Sequence, residues 1–324
     1  MTSVLFLGFG AIGRHIAQLL TPEITAGTLT VTALVSDMAK HADRPHHGAE
    51  VVDLATLTAD LGEPSPSPTA SPIPSPSPSP SPSPSPSPRM FDAFDIIVEC
   101  AGVPAAARFG PAVIAAGKPL VLTSVGALAE AATRAALLAG PGRLHVTNGA
   151  IGGLDVLEAA AQAGGLDAVE ITTSKEATGL IRPWMSETEA DRLRALRPQD
   201  GPVSVFTGNP AEAIVKFPAN VNIAVALAWA TRGLPGSAAH TGGGLPTGAD
   251  SGIEASLLAD SLQRVRVELL AVAGQTQSAH QVRAAGSAGK FAFDIRSTPS
   301  PENPATSGLT ALSVTRTLRR ALRA

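Results

Sequence analysis

Two groups of residues in this sequence have types and spacing that could support chemistry. The first is the run Gly8-Phe9-Gly10-Ala11-Ile12-Gly13, a G-x-G-x-x-G pattern. Gly8 permits a tight turn out of a strand, and Gly10 lets the backbone approach a pyrophosphate. Gly13 lets a helix pack closely on that strand, and the helix N-terminus, with Ala11 and Ile12, offers amide donors to an anion. The spacing alone is a weak signal. Here an apolar strand precedes it and an amphipathic helix follows, which makes it a dinucleotide-binding fingerprint. The second group is the seven histidines, since an imidazole near its natural pKa can take and return a proton beside a hydride-transferring cofactor. His15 falls on the first helix, facing solvent. His41, His46 and His47 cluster with Asp43 in a polar loop; metal-ligand geometry does not favour that group, so no metal site is expected. His145 sits in an apolar strand as a core residue, and His240 lies in a Gly-rich loop. His280 remains as the candidate catalytic group, expected on a loop between two strands of a second domain. The plainer alternative is a loop histidine bonded to backbone.

The elements that must position these residues can be read from periodicity. Ser3 to Leu7 is an apolar strand, and the helix after the glycines carries Ile12, Ile16, Leu19 and Leu20 on one face. Strands follow at Leu29–Val35, Val51–Val52, Asp95–Glu99 and Pro119–Leu122. Strands alternating with helices indicate a doubly wound parallel sheet, an α/β Rossmann domain over residues 1–126. Within it, 64–88 is nearly pure Ser-Pro alternation, which cannot bury apolar surface and reads as a solvated, polyproline-rich insert. Residues 127–305 read as a second, α+β catalytic domain. It has longer strands at Val169–Thr173, Val203–Thr207 and Val265–Val272, and a capping box from Ser186 to Glu189. A Gly-rich loop insert is expected over 233–260. A terminal helix over 306–324, with Leu309, Leu312, Leu318 and Leu322, should pack back on the first domain. Its Arg319, Arg320 and Arg323 suit the negative end of the helix dipole.

Composition narrows the partners. A net charge of −3 with scattered Lys and Arg argues against nucleic acid. No apolar run approaches a bilayer span, and Met1 leads into a strand without a basic leader, so neither membrane nor secretion is expected. The single cysteine, Cys100, excludes an intrachain disulfide, fits a reducing cytoplasm, and reads as a small buried residue, not a nucleophile. Cofactor choice turns on the end of the second strand. Asp37 there would favour NAD, Ser36 with Lys40 would accept a 2′-phosphate, and the balance leans to NAD.

Four stretches, in order, resemble the L-aspartate dehydrogenase family: GFGAIG at 8–13 with its flanking strand, NGAIGGLD at 148–155, FPANVN at 217–222 and ENPATSGLTALS at 302–313. The resemblance implies oxidative deamination of L-aspartate with NAD or NADP, giving iminoaspartate and then oxaloacetate and ammonia, or a precursor for NAD biosynthesis. It implies a homodimer. Ala150 and Asn222 match positions that contact the cofactor, and His280 matches the catalytic histidine. The chain departs from the family at Ser278, where Asn is common, at Gln281, and at Ala305, where NPKTS has lysine. A dicarboxylate needs cationic or amide donors. Lys175, the amides near Gly152 and Gly153, and Asn303, Thr306 and Ser307 are candidates, although the last three also suit helix capping. The alternatives are a non-catalytic dinucleotide-binding sensor, or another two-domain nicotinamide reductase of homoserine-dehydrogenase or dihydrodipicolinate-reductase type.

Overall fold

The computed structural model describes residues 1–59, 86–218, 221–233, 251–300 and 302–323. Most of the Ser-Pro insert and the Gly-rich stretch at 234–250 lie outside the described residues. The first sheet is built from β1 (Thr2–Leu7), β2 (Leu29–Leu34), β3 (Glu50–Val52), β4 (Ile96–Glu99), β5 (Leu120–Leu122) and β6 (Leu144–Val146). Its order is β3-β2-β1-β4-β5-β6 and every pairing is parallel. Parallel strands are covered on both faces, which is why Val4 to Leu7, Ile96 to Val98 and Leu120 to Leu122 are continuous apolar runs rather than alternating ones. The sheet reaches Val146, twenty residues past the division expected at 126. Leu144-His145-Val146 is too short for its periodicity to reveal which sheet it joins, and the register with β5 decides it. His145 is accordingly half-buried on the sheet edge instead of in the core.

Helices α1 (Ala11–Leu19), α2 (Thr21–Thr25), α3 (Leu54–Ala59), α4 (Val103–Ala115) and α5 (Ala131–Leu138) connect and flank these strands. α6 (Leu154–Gln162) then leads into a second sheet. That sheet comprises β7 (Ala168–Glu176), β8 (Val203–Gly208), β9 (Arg266–Val272), β10 (Ser278–Gly286) and β11 (Gly289–Ser297), ordered β11-β10-β7-β9-β8. Only β7 and β9 pair in parallel. One face of this mixed sheet is buried, so β10 alternates strictly: His280, Val282 and Ala284 inward, Gln281 and Arg283 outward. His280 is therefore a strand residue, not the loop residue its sequence setting suggested.

α7 (Glu187–Arg194) opens with the Ser186–Glu189 capping box, both halves formed. α8 (Pro210–Lys216) and α9 (Asn222–Ala230) follow. α10 (Ser251–Arg264) occupies the end of the span expected as loop, because Leu257, Leu258 and Leu262 lie on one buried stripe. The hairpin β12 (Pro299–Ser300) and β13 (Asn303–Ser307) leads to α11 (Gly308–Ala321). α11 packs on α1, and its Ala311, Val314 and Leu318 share a core with Val4, Phe6 and Ile16. Arg319 does not merely face the helix dipole. Its Nε donates to Glu23 Oε1 at 2.6 Å and its Nη2 to the Leu19 carbonyl, fastening α11 to α1 and α2.

Candidate active site

Two cavities meet at Cys100 and Ala101, at the carboxyl ends of β1 and β4, where the strand order reverses. Open α/β sheets bind ligands at this place. The larger cavity, about 810 Å³, is bordered by Gly8, Phe9, Gly10, Ser36, His41 and Asp53, among others. The smaller, about 280 Å³, is bordered by Ile12, Gly149, Ala150, Lys175, Asn222, Ser278, His280, Thr306 and Ser307.

The fingerprint glycines divide into two physical roles. Gly8 has φ +94°, and a Cβ there would lie 2.7 Å from the Ala101 Cβ. A Cβ on Gly13 would lie 2.8 Å from the Gly8 carbonyl oxygen. Both are required by protein packing. Gly10 is different: a Cβ would meet nothing within 4 Å. Space is kept there beside the N-terminus of α1, whose N-cap is Gly10 with no side chain on the first amides. The donors and the gap fit a diphosphate. Arg14, unremarked in the sequence, holds the loop from below. Its Nη1 donates to the Phe9 carbonyl at 3.1 Å and its Nε to Glu302 Oε2 at 2.7 Å.

Glu99 is a second residue that sequence reasoning missed. It is fully buried, and its carboxylate accepts from the amides of Ala101, Gly102 and Ser124 and from the Ser124 hydroxyl. Burial pushes its pKa up, against four bonds that favour the charged form. It thus ties the loop on which the cavities meet to the loop after β5, which borders the smaller one. Beside it, Cys100 Sγ donates to the Gly8 carbonyl, and burial and the Glu99 charge push the thiol far up. Such a thiol is not a nucleophile.

In the smaller cavity β7 and β10 place Thr173 opposite His280. Thr173 Oγ1 and His280 Nδ1 are 3.0 Å apart, with both residues at most 3% exposed. Burial, then the charge of nearby Lys175, lowers the His280 pKa to about 3. Burial, then Arg182, lowers that of Lys175 to about 8. Asn222, the first residue of α9, accepts from the Gly126 amide at 2.8 Å and so joins α9 to the loop after β5. Ser307 both borders the cavity and caps α11, accepting from the Leu309 amide and donating to Ser297 Oγ. Ser278 borders the cavity, whereas Gln281 points outward to Asp294 Oδ2.

All the residues singled out by the sequence, from Gly8 to Gly13 and on to Ala150, Asn222 and His280, therefore fall around two adjoining cavities, Ala11 and Gly13 through α1 rather than as wall residues. Some substrate-binding candidates do not. Gly153 is the N-cap of α6 and faces a separate cavity, and Asn303 borders another near Arg14. Asp37 is turned into the 3-10 turn at Met38–His41, where its carboxylate accepts from the Ala39 amide. The polar loop does not gather its histidines on one point: His46 Nε2 meets the His41 carbonyl.

Comparison with known proteins gives the same outline. The family described as aspartate dehydrogenase, C-terminal, matches residues 155–239 and 235–321. The NAD-binding domain of homoserine dehydrogenase matches residues 8–141. An L-aspartate dehydrogenase of Ruegeria pomeroyi is 35% identical over 69% of this chain and 71% of its own length. One from Ralstonia nicotianae is 30% identical over 98% of this chain and 97% of its own. The crystal structure of aspartate dehydrogenase from Thermotoga maritima superposes with a TM-score of 0.57 at 21% identity, over 100% of this chain and 96% of that one, a likeness of fold.

Proposed function

Because the chain belongs to the aspartate dehydrogenase family and carries a NAD-binding domain, we propose that it oxidises L-aspartate with a nicotinamide dinucleotide. The products are iminoaspartate and the reduced cofactor; water then converts the imine to oxaloacetate and ammonium. Released before hydrolysis, the imine would serve NAD biosynthesis. We also read the protein as a cytoplasmic homodimer. The observation that carries the reading is the convergence of Ala150, Lys175, Asn222 and His280 on a small cavity that adjoins the fingerprint loop.

Gly8 to Gly13 would hold the diphosphate, and Ala150 and Asn222 the nicotinamide end. When bound, the cofactor supplies the acceptor for the hydride from the substrate α-carbon. The protein handles the protons and the charge. His280 stands neutral with Nδ1 held by Thr173, so the ring presents a fixed face to the cavity. A dicarboxylate entering beside it adds negative charge, which raises the imidazole towards its ordinary basicity. The ring can then take the proton from the substrate amine as C=N forms, release it to solvent, and, neutral again, deprotonate the attacking water. Lys175, an ammonium below pH of about 8, pairs a substrate carboxylate.

The test is reduction of NAD or NADP by purified protein with L-aspartate at alkaline pH, followed by absorbance of the reduced cofactor. Aspartate-dependent reduction that disappears in His280→Ala supports the reading. Dinucleotide binding without turnover of any amino acid would instead make the chain a sensor.

A further inference from the structure

We propose that the adenosine end of the larger cavity is built for a 2′-phosphate, so that the chain prefers NADP to NAD, with Ser36, His41, Lys40 and Arg44 as its contacts. This rests on the reading above that the cavity takes a nicotinamide dinucleotide. The end of β2 is fixed beside the fingerprint, because the Gly8 amide donates to the Leu34 carbonyl at 2.9 Å. A site for NAD places a carboxylate at that strand end to accept from the ribose hydroxyls. Here the position on the cavity wall is Ser36, whose hydroxyl can donate to a phosphate and does not repel one.

The neighbouring acid does not replace it. Asp37 is absent from the cavity wall, its Oδ1 accepts from the Ala39 amide at 3.1 Å, and its Oδ2 lies 3.2 Å from Lys40 Nζ. The one carboxylate on the wall among the described residues is Asp53, at the end of β3, with Oδ1 accepting from the Thr56 amide at 2.8 Å. The order β3-β2-β1 sets it one strand beyond Ser36, farther from the fingerprint loop after β1.

The surroundings are cationic. Gly10 separates the main cavity from a smaller one of about 380 Å³ bordered by Arg14, Lys40 and Arg44. Arg14 is committed to Glu302. Arg44 has no ion pair among the described residues, and Lys40 shares only the exposed bridge to Asp37, which a phosphate can outcompete. His41 borders the main cavity with its Nδ1 buried and unbonded among the described residues. Burial and the charges of Arg14, His46 and Arg44 hold its pKa below the ordinary imidazole value, a sign of the positive field a dianion would meet.

Isothermal titration of the full chain with NAD+ and NADP+, and with 2′-AMP and 5′-AMP as fragments, tests this. The expected result is at least tenfold tighter binding of NADP+ and of 2′-AMP than of their partners. Ser36→Asp should reverse that preference by weakening NADP+ and tightening NAD+, and Arg44→Ala should weaken NADP+ more than NAD+. Thermal melts of each variant check folding. Tighter binding of NAD+, or an unchanged ratio in both folded variants, overturns the inference but leaves the dinucleotide site standing. No binding of either dinucleotide overturns both.

Discussion

A buried imidazole and a buried amine cannot both be charged cheaply in one small cavity, and His280 and Lys175 show how that conflict is resolved. The lysine keeps its proton up to a pH of about 8, while the imidazole gives its proton up at about 3. Anion binding and proton acceptance are thereby separated between two side chains. Lys175→Gln keeps much of the side-chain volume and removes the charge. It should raise the KM for aspartate by at least ~10-fold, the worth of one charge-assisted bond, while dinucleotide affinity measured by titration stays unchanged. For the same reason wild-type KM should climb as pH rises through about 8, even as kcat grows with the fraction of neutral substrate amine. Equal loss of dinucleotide affinity in Lys175→Gln would move the lysine out of the substrate role.

Elements, rather than single residues, decide which of the glycines is functional. Gly13→Ala forces a Cβ against the Gly8 carbonyl and should cost roughly 1–3 kcal/mol of stability. Gly10→Ala meets open space, so its melting temperature should match wild type while dinucleotide affinity falls steeply. A calorimetric scan and a binding titration on the two variants separate them; a destabilised Gly10→Ala would mean that the space is structural. The fingerprint was readable because strand, turn and helix are contiguous. The strand carrying His280 also left a trace, since Ser278 to Ala284 alternates, but its polar and small residues masked the period of two. α10 was hidden because it begins inside a Gly-rich tract. Glu99 and the Arg14–Glu302 pair left no local trace, because their partners come from distant segments and only tertiary packing identifies them.

Across the whole molecule, α11, which follows the second sheet in the chain, lies on α1, and Asn222 is bonded to the loop after β5; the smaller cavity lies where the two domains meet, and the larger one lies within the first domain. Assembling the site means burying His280 in its neutral form, and stability should record that. The folded-state pKa of about 3 lies below the 6.5 of an unperturbed imidazole, so the unfolded chain binds more protons between those values. Stability therefore rises with pH across that window and is lost on acidification, by a few kcal/mol at most (~1.4 kcal/mol per pH unit). Urea titrations from pH 7 down to pH 4 should show this loss, and His280→Gln should show less of it. An identical slope in the variant would mean that the imidazole is not buried neutral. The small cavity is lined by the loops after β4 and β5 of the first sheet and by β7 and β10 of the second, so a single reacting geometry is expected, in which the substrate α-hydrogen passes directly to the cofactor. L-Aspartate deuterated at the α-carbon tests it most directly. The reduced cofactor should carry the deuterium at C4 of the nicotinamide, with oxaloacetate and ammonium formed in equal amounts. Reduced cofactor without deuterium, or no aspartate-dependent reduction at all, would contradict it.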